Sequence, residues 1–421
     1  MKACHPISLV AIVFGLSCLR ANAQSQTPTA APPQASTAPA QTSPTTASRR
    51  AEIQKIEEAL PKIPDRGATL FLLARRYAQI GDPQKALALL KECVALDEGF
   101  DPGDLPAFSP LQSLPEFREL VEYVHRRYPA VHLAHVAFTV PETDLFPEGL
   151  AVDWPKRVFY MGSMHRKEII RITEAGEVSE FVKPGVYDLM PVGGVKVDPM
   201  DHSVWAATDP GEANRSELVH FDANGKLLER FAARGPGPHD LNDLVLRGTD
   251  EIYLSDTSAH QAYRFNRASH NFTALSFPRA IFYPNGITVS GDGNLLYVAD
   301  LLGVVCVDLR NNSAHEVEPG KGNTLAGIDG LYWHEGSLVG VQYGTGSFRV
   351  MRWGLSADGK RVTSSKTLEY RTPLVSFPTT GAVAGENFYY IANTGIANLQ
   401  DDKIVDPAKL EPVHIAVVPL K

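Results

Sequence analysis

Six short stretches of the chain share one register, and most of them begin with a polar side chain. In order they read Glu148 (PEGLAVD), Gly193 (VGGVKVD), Asn242 (LNDLVL), Asn285 (PNGITVS), Asp329 (IDGLYW) and Thr380 (TTGAVAG). Tight turns before strands favour Asn and Asp, which accounts for an Asn-Gly or Asp-Gly pair but not for Glu148. Two carboxylates and two carboxamides facing one another would be costly without a cation between them. An all-oxygen set with no His fits a hard divalent cation: Ca²⁺ first, with Mn²⁺ or Mg²⁺ as options where waters complete the shell. Such an ion polarises a carbonyl and lowers the pKa of a water molecule. A carboxylate at or beside it, Asp329 or Asp243, is then the expected general base, with a nucleophilic role as the alternative.

The elements that must deliver these residues are short and β-rich. From residue 130 onward six units resemble one another: GLAVDWPKRVFYMG from Gly149, GVKVDPMDHSVWAAT from Gly194, DLVLRGTDEIYLSDT from Asp243, GITVSGDGNLLYVAD from Gly286, GLYWHEGSLVGVQY from Gly330 and GAVAGENFYYIANT from Gly381. Each has a short strand, an Asp/Gly turn and an aromatic-containing strand. A β repeat of ~40–50 residues occurring six times predicts a mainly β chain folded as a six-bladed β-propeller. Its innermost strands line a central channel, so the six register positions are expected to meet at one end of it. Val131–Val140 and Val413–Leu420 are apolar-rich and are expected to pair within one closing blade, with the propeller spanning 130–421.

Residues 49–129 read as helical. Leu70, Leu73 and Tyr77 form one stripe, Gly81-Asp82-Pro83 a turn, and Ala86, Leu89, Leu90 and Val94 a second stripe. Ala74, Tyr77, Gly81 and Ala86 sit where a tetratricopeptide-type hairpin wants small or aromatic residues. Residues 115–128 predict a third amphipathic helix. One repeat unit cannot bury its own face, so the segment is expected to pack on the next domain, with a peptide-binding role as the functional alternative.

Residues 1–23 have the charge, apolar run and Ala21-Asn22-Ala23 ending of a cleaved signal peptide, and the run is too short to span a bilayer. The chain is therefore expected to be exported to the periplasm or the extracellular space. Residues 24–48 are almost wholly Gln, Ser, Thr, Ala and Pro, the composition of a flexible linker. Cys93 and Cys306 remain in the mature chain, either paired or as two small buried hydrophobes. With 40 Lys and Arg against 48 Asp and Glu, a formal charge of −8 and no basic run, nucleic acid is excluded as the main partner. No GxSxG element and no nucleotide loop occurs, which excludes a serine hydrolase of that type and a phosphate-cradling site.

With these motifs in order and register, residues 140–400 resemble the gluconolactonase/regucalcin (senescence marker protein) family and are similar to the paraoxonase-type lactonases. The motifs are Pro147-Glu148-Gly149, Asn242-Asp243, the run Asn285 to Asp292 followed by LYVAD, and Asp329-Gly330. The resemblance implies Glu148, Asn285 and Asp329 as ligands of a catalytic divalent metal, usually calcium. It implies Asn242 as a ligand or substrate contact, and Asp243 close by. Two departures stand out. Many gluconolactonase-type members carry Arg where this chain has Asp240, and the stretches 191–194 and 205–210 lack the paraoxonase histidines. His239, His165, His202 and His334 are expected in solvated loops or turns. The leading expectation is a hydrolase of a small-molecule lactone or ester. The alternative is a non-catalytic binding propeller with a structural calcium, its helical segment docking a protein partner.

Overall fold

The computed structural model describes residues 46–421 except 60, 62, 212–214 and 401. The expected signal peptide, and the expected linker up to residue 45, lie outside the described residues. Thr46–Ser48, expected in that linker, open helix α1 (Thr46–Ala59).

Six antiparallel sheets, five of four strands and one of five, form a six-bladed propeller. Their innermost strands are Pro147–Asp153, Val192–Val197, Leu241–Arg247, Ile287–Val289, Ile328–His334 and Gly381–Ala384, in blades 1 to 6. Between blades the strands bury continuous apolar runs, as in the second strand of blade 2, Val204–Thr208, which is buried at every residue. Such runs belong to sheets covered on both faces, which is how neighbouring blades cover each other.

The two apolar end segments meet, though not wholly as expected. His135–Val140 pairs with Val413–Pro419 as the outermost strand of blade 6. Val131 and His132 instead pair with Tyr370 and Glu369 at the edge of blade 5. The segment thus crosses from one blade to the next and supplies the outermost strand of each.

Helices α2 (Arg66–Gln79), α3 (Pro83–Ala95) and α4 (Pro115–Arg127) follow α1. Residues Gly67 to Arg75 are all buried, because α3 covers one face of α2 and the propeller another. Phe71, Phe100 and Phe108 fill this core, with ring centroids 5.0 and 5.6 Å apart. It continues into the propeller through Phe282, Leu301, Leu302 and Ala326. Polar staples flank it. Asp65 accepts the Ala68 N–H at Oδ1, capping α2, while its Oδ2 accepts from the Thr324 hydroxyl at 2.5 Å and the Leu325 N–H at 3.1 Å. Asp101 accepts from Ser347 and Tyr370. The helices therefore sit over blades 4 and 5. Cys93 and Cys306 are both buried free thiols, one in α3 and the other in blade 4. Among the described residues, no helix is long and apolar enough to cross a membrane.

Candidate functional site at the channel end

The residues expected just before the inner strands lie, in four blades, inside them. In blade 1, Pro147 faces Ser163 and Leu150 faces Met161, so Glu148 and Gly149 together oppose one residue. The same two-against-one break falls on Gly193-Gly194, Asn242-Asp243 and Asp329-Gly330. In blade 4, Asn285 and Gly286 both bond to Ala299, donating from one N–H and accepting at the other's carbonyl. These are β-bulges, which kink a strand and re-aim its side chains. Blade 6 has none: Gly381 pairs with Tyr390 in plain register.

The second bulge residue is Gly in four of the five blades because the neighbouring blade leaves no room for a Cβ. One added at Gly149 would lie 2.0 Å from the Gly193 carbonyl oxygen, and one at Gly286 2.3 Å from that of Asp329. Ring closure is completed by Thr380, whose hydroxyl donates to the Glu148 carbonyl. Asp243 is the exception, and its carboxylate accepts from Lys196 Nζ at 2.9 Å.

All four expected ligands are buried: Glu148 4%, Asn242 6%, Asn285 8% and Asp329 3% exposed. Burial pushes the Glu148 carboxyl up to about 8, helped by the negative charge of Asp209 and of Asp243. Asp329 is held well above the usual carboxylate range by burial, then by Glu148 and Asp243. The carboxamides act the other way: Asn242 beside Glu148 and Asn285 beside Asp329 present N–H groups to the ionised form. Asn285 Oδ1 and Asp329 Oδ1 are buried without a hydrogen-bond partner. Asn285, Asp329, Thr257 and Tyr343 line a cavity of about 10 Å³, room for about one water- or ion-sized species. Glu148 and Asn242 do not line that cavity.

Two further carboxylates belong to the cluster. Asp209 is raised to about 6 by burial, and Asp240 well above its usual range by burial and by the charges of Asp209, Glu148 and Asp256. Asp209 follows the second strand of its blade, where Thr257 and Tyr343 stand in theirs. That strand runs antiparallel to the innermost one, so its end reaches the same channel mouth. The alignment that picked out the four ligands, applied to the second strand, would have found Asp209 and Tyr343.

Two of the four histidines depart from expectation, while His165 and His202 lie outside the strands as expected. His239 is not a solvated loop residue: its Nδ1 meets Asp256 Oδ2 at 2.6 Å, with its side chain 12% exposed. His334 is buried and ends the inner strand of blade 5, five residues and about 17 Å along the strand from Asp329. Among the described residues it forms, with Glu335 and Glu386, a group of three ligand atoms within 4.8 Å of one another. Lys421 Nζ lies 3.7 Å from Glu386 and already offsets its charge.

No protein-family model matches the chain, and no curated protein matches it. Solved structures similar to it include the PQQ-bound aldose sugar dehydrogenase of Streptomyces coelicolor, at 16% identity and a TM-score of 0.49 over 69% of this chain and 99% of that one. A gluconolactonase of Xanthomonas campestris gives 16% and 0.48 over 67% and 89%. A virginiamycin B lyase of Staphylococcus aureus gives 16% and 0.46 over 63% and 83%. At these identities the likeness is one of fold.

Proposed function

We propose that this chain is an exported, metal-dependent hydrolase that opens a lactone or related ester at the bulged end of its propeller channel. Glu148, Asn242, Asn285 and Asp329 would hold a divalent cation, calcium first and manganese or magnesium next. The observation that carries the reading is the pair of orphaned oxygens, Asn285 Oδ1 and Asp329 Oδ1, beside an ion-sized cavity among buried carboxylates. Oxygen donors that are buried, acidic and without partners fit a hard cation. When bound, such a cation polarises an ester carbonyl and offsets the charge that develops on its oxygen.

The chain's own residues supply the rest. Asp329 Oδ1 is the proton acceptor best placed to take a proton from an attacking water. Asp243 is tied to Lys196 through Oδ1, and only its Oδ2 is open for that role. Carboxamides on two sides fix the orientation of Glu148 and Asp329, and the bulges hold three of the four within the rigid inner strands, with Asn285 immediately before its own. Passing that proton on to the leaving alkoxide completes the cleavage, giving a hydroxy acid from a lactone or an acid and an alcohol from an ester.

The test is a panel of lactones, aryl esters and phosphotriesters offered to the Ca²⁺-, Mn²⁺- and Mg²⁺-loaded protein. Turnover is expected, and Asp329→Ala is expected to abolish it with the fold intact. Hydrolysis of nothing on the panel would sink the reading.

One observation favours a second reading, a binding propeller with a structural calcium. The cavity beside Asp329 is far smaller than an ester substrate, and the helices cover blades 4 and 5. In that case Asp329→Ala lowers thermal stability and changes no turnover, and the helical segment becomes the surface for a protein partner.

A further inference from the structure

A cavity of about 640 Å³ opens between the helical segment and blades 5 and 6, within the ~300–1,000 Å³ typical of small-molecule sites. Its floor is contributed from both sides. Arg75 comes from α2 and is 2% exposed; Tyr343 and Ser347 come from the propeller and are buried. Phe348 and Phe377 stand 5.3 Å apart between ring centroids, and Tyr343 lies 6.1 and 5.8 Å from them, so three rings form one apolar wall. Arg371 and the exposed Asp104 are at the rim. The wall is thus apolar and aromatic, and the deepest charge is a guanidinium.

We propose that this cavity binds an amphipathic carboxylate, its acid group against Arg75 and its aromatic or short acyl body against Phe348 and Phe377. A planar guanidinium matches the two oxygens of a carboxylate, and the bond strengthens where water is excluded. A phosphate dianion would need more cationic groups than one buried Arg provides. Burial and the neighbouring Arg76 draw the Arg75 guanidinium down to about 9, with Tyr343 and Glu52 opposing them only in part, so a further negative group beside it is favoured. Tyr343 lines this cavity and the small one beside Asp329 alike. A bound ligand therefore lies one side chain from the axial carboxylates. The site exists only because the helices are docked on the propeller, which gives the helical segment a role in recognition.

The experiment measures binding alone, with EDTA present, so that it does not depend on hydrolysis at the axis. Calorimetric titration and thermal shift compare 4-phenylbutyrate and 1-naphthylacetate with their primary amides, and with phenyl phosphate. The acids are expected to bind at least ~10-fold more tightly than the amides, the scale of one charge-assisted bond. Arg75→Gln is expected to erase that preference, and Arg75→Lys to keep part of it. Phe348→Ala is expected to weaken acid and amide alike while leaving their ratio. Equal binding of acid and amide by the unaltered protein, tighter binding of phenyl phosphate than of either acid, or no binding of either acid up to ~10 mM would each overturn the proposal. The comparison of acid with amide needs no variant, so it stands even where Arg75→Gln fails to fold.

Discussion

Asp329→Asn removes one negative charge from the channel end while keeping the shape of the side chain, and its effect should reverse sign with the cation. Glu148, Asp209, Asp240 and Asp329 are each at most 4% exposed, and among the described residues none forms a salt bridge. Their neighbours do: Asp243 has Lys196 at 2.9 Å, Asp256 has His239 at 2.6 Å and Asp300 has Arg279 at 2.5 Å. An unanswered buried charge costs about 3–5 kcal/mol, and protonation relieves part of that. In chelator the variant should therefore gain about 1–2 kcal/mol, which at about 2 °C per kcal/mol for a chain of this size raises Tm by about 2–4 °C. With Ca²⁺ at 100 times its Kd, the unaltered protein gains about 2.7 kcal/mol, or about 5 °C. The variant should lose most of that gain, so the two melting temperatures exchange order on adding metal. Differential scanning fluorimetry in EDTA, Ca²⁺, Mn²⁺ and Mg²⁺ reads this directly. A variant that melts below the parent in EDTA, or a parent that none of the three cations stabilises, refutes the reasoning.

Gly286→Ala should cost several kcal/mol and abolish the response to cation, since its Cβ meets the Asp329 carbonyl at 2.3 Å. Gly248→Ala, with φ +57° and nothing within 4 Å, should cost only about 1 kcal/mol, both read from urea denaturation. Lys196→Met strands the Asp243 carboxylate and should cost about 3–5 kcal/mol. Asp243→Asn in the same chain should restore most of it, as a double-mutant cycle will show. Under saturating Ca²⁺, stability should fall as pH rises from 5 to 8. Burial lifts Asp65 to about 6 and Glu98 to about 8, so the folded chain holds protons there that the unfolded chain has released. Above pH 5 Asp65 alone contributes on the order of 1–1.5 kcal/mol of that fall, and Asp65→Asn should flatten the lower part of a denaturation-against-pH curve.

Much of the ring was legible because a repeat repeats its errors as well as its rules. The alternation of apolar residues, the Asp/Gly turns and the aromatic second strands recur six times, and six blades follow. The polar heads at Glu148, Asn242, Asn285 and Asp329 were legible for the same reason. Their bulges were not, because one extra residue in a strand looks the same in sequence as a turn that ends one residue earlier. Asp240 was visible only as an acidic neighbour of the Asn242 motif, and its burial beside Glu148 and Asp209 is a tertiary fact. Arg75 left no local sign of its place, since a charged residue on an apolar helix ordinarily reads as solvated, and only docking over Tyr343 buries it.

The crossing of residues 131–140 between two blades has a consequence for how the molecule comes into being. His135–Val140 finds its partner in Val413–Pro419, more than 270 residues downstream. No emerging chain can lock the circle until that final strand has left the ribosome, and a sheet that waits so long exposes sticky edges meanwhile. Once joined, the seam is clasped on both sides of one short segment, Val131 gripping blade 5 and His135 opening the strand that grips blade 6. Prising it open means breaking both grips at once, so the finished ring should unfold slowly for the very reason that it assembles late.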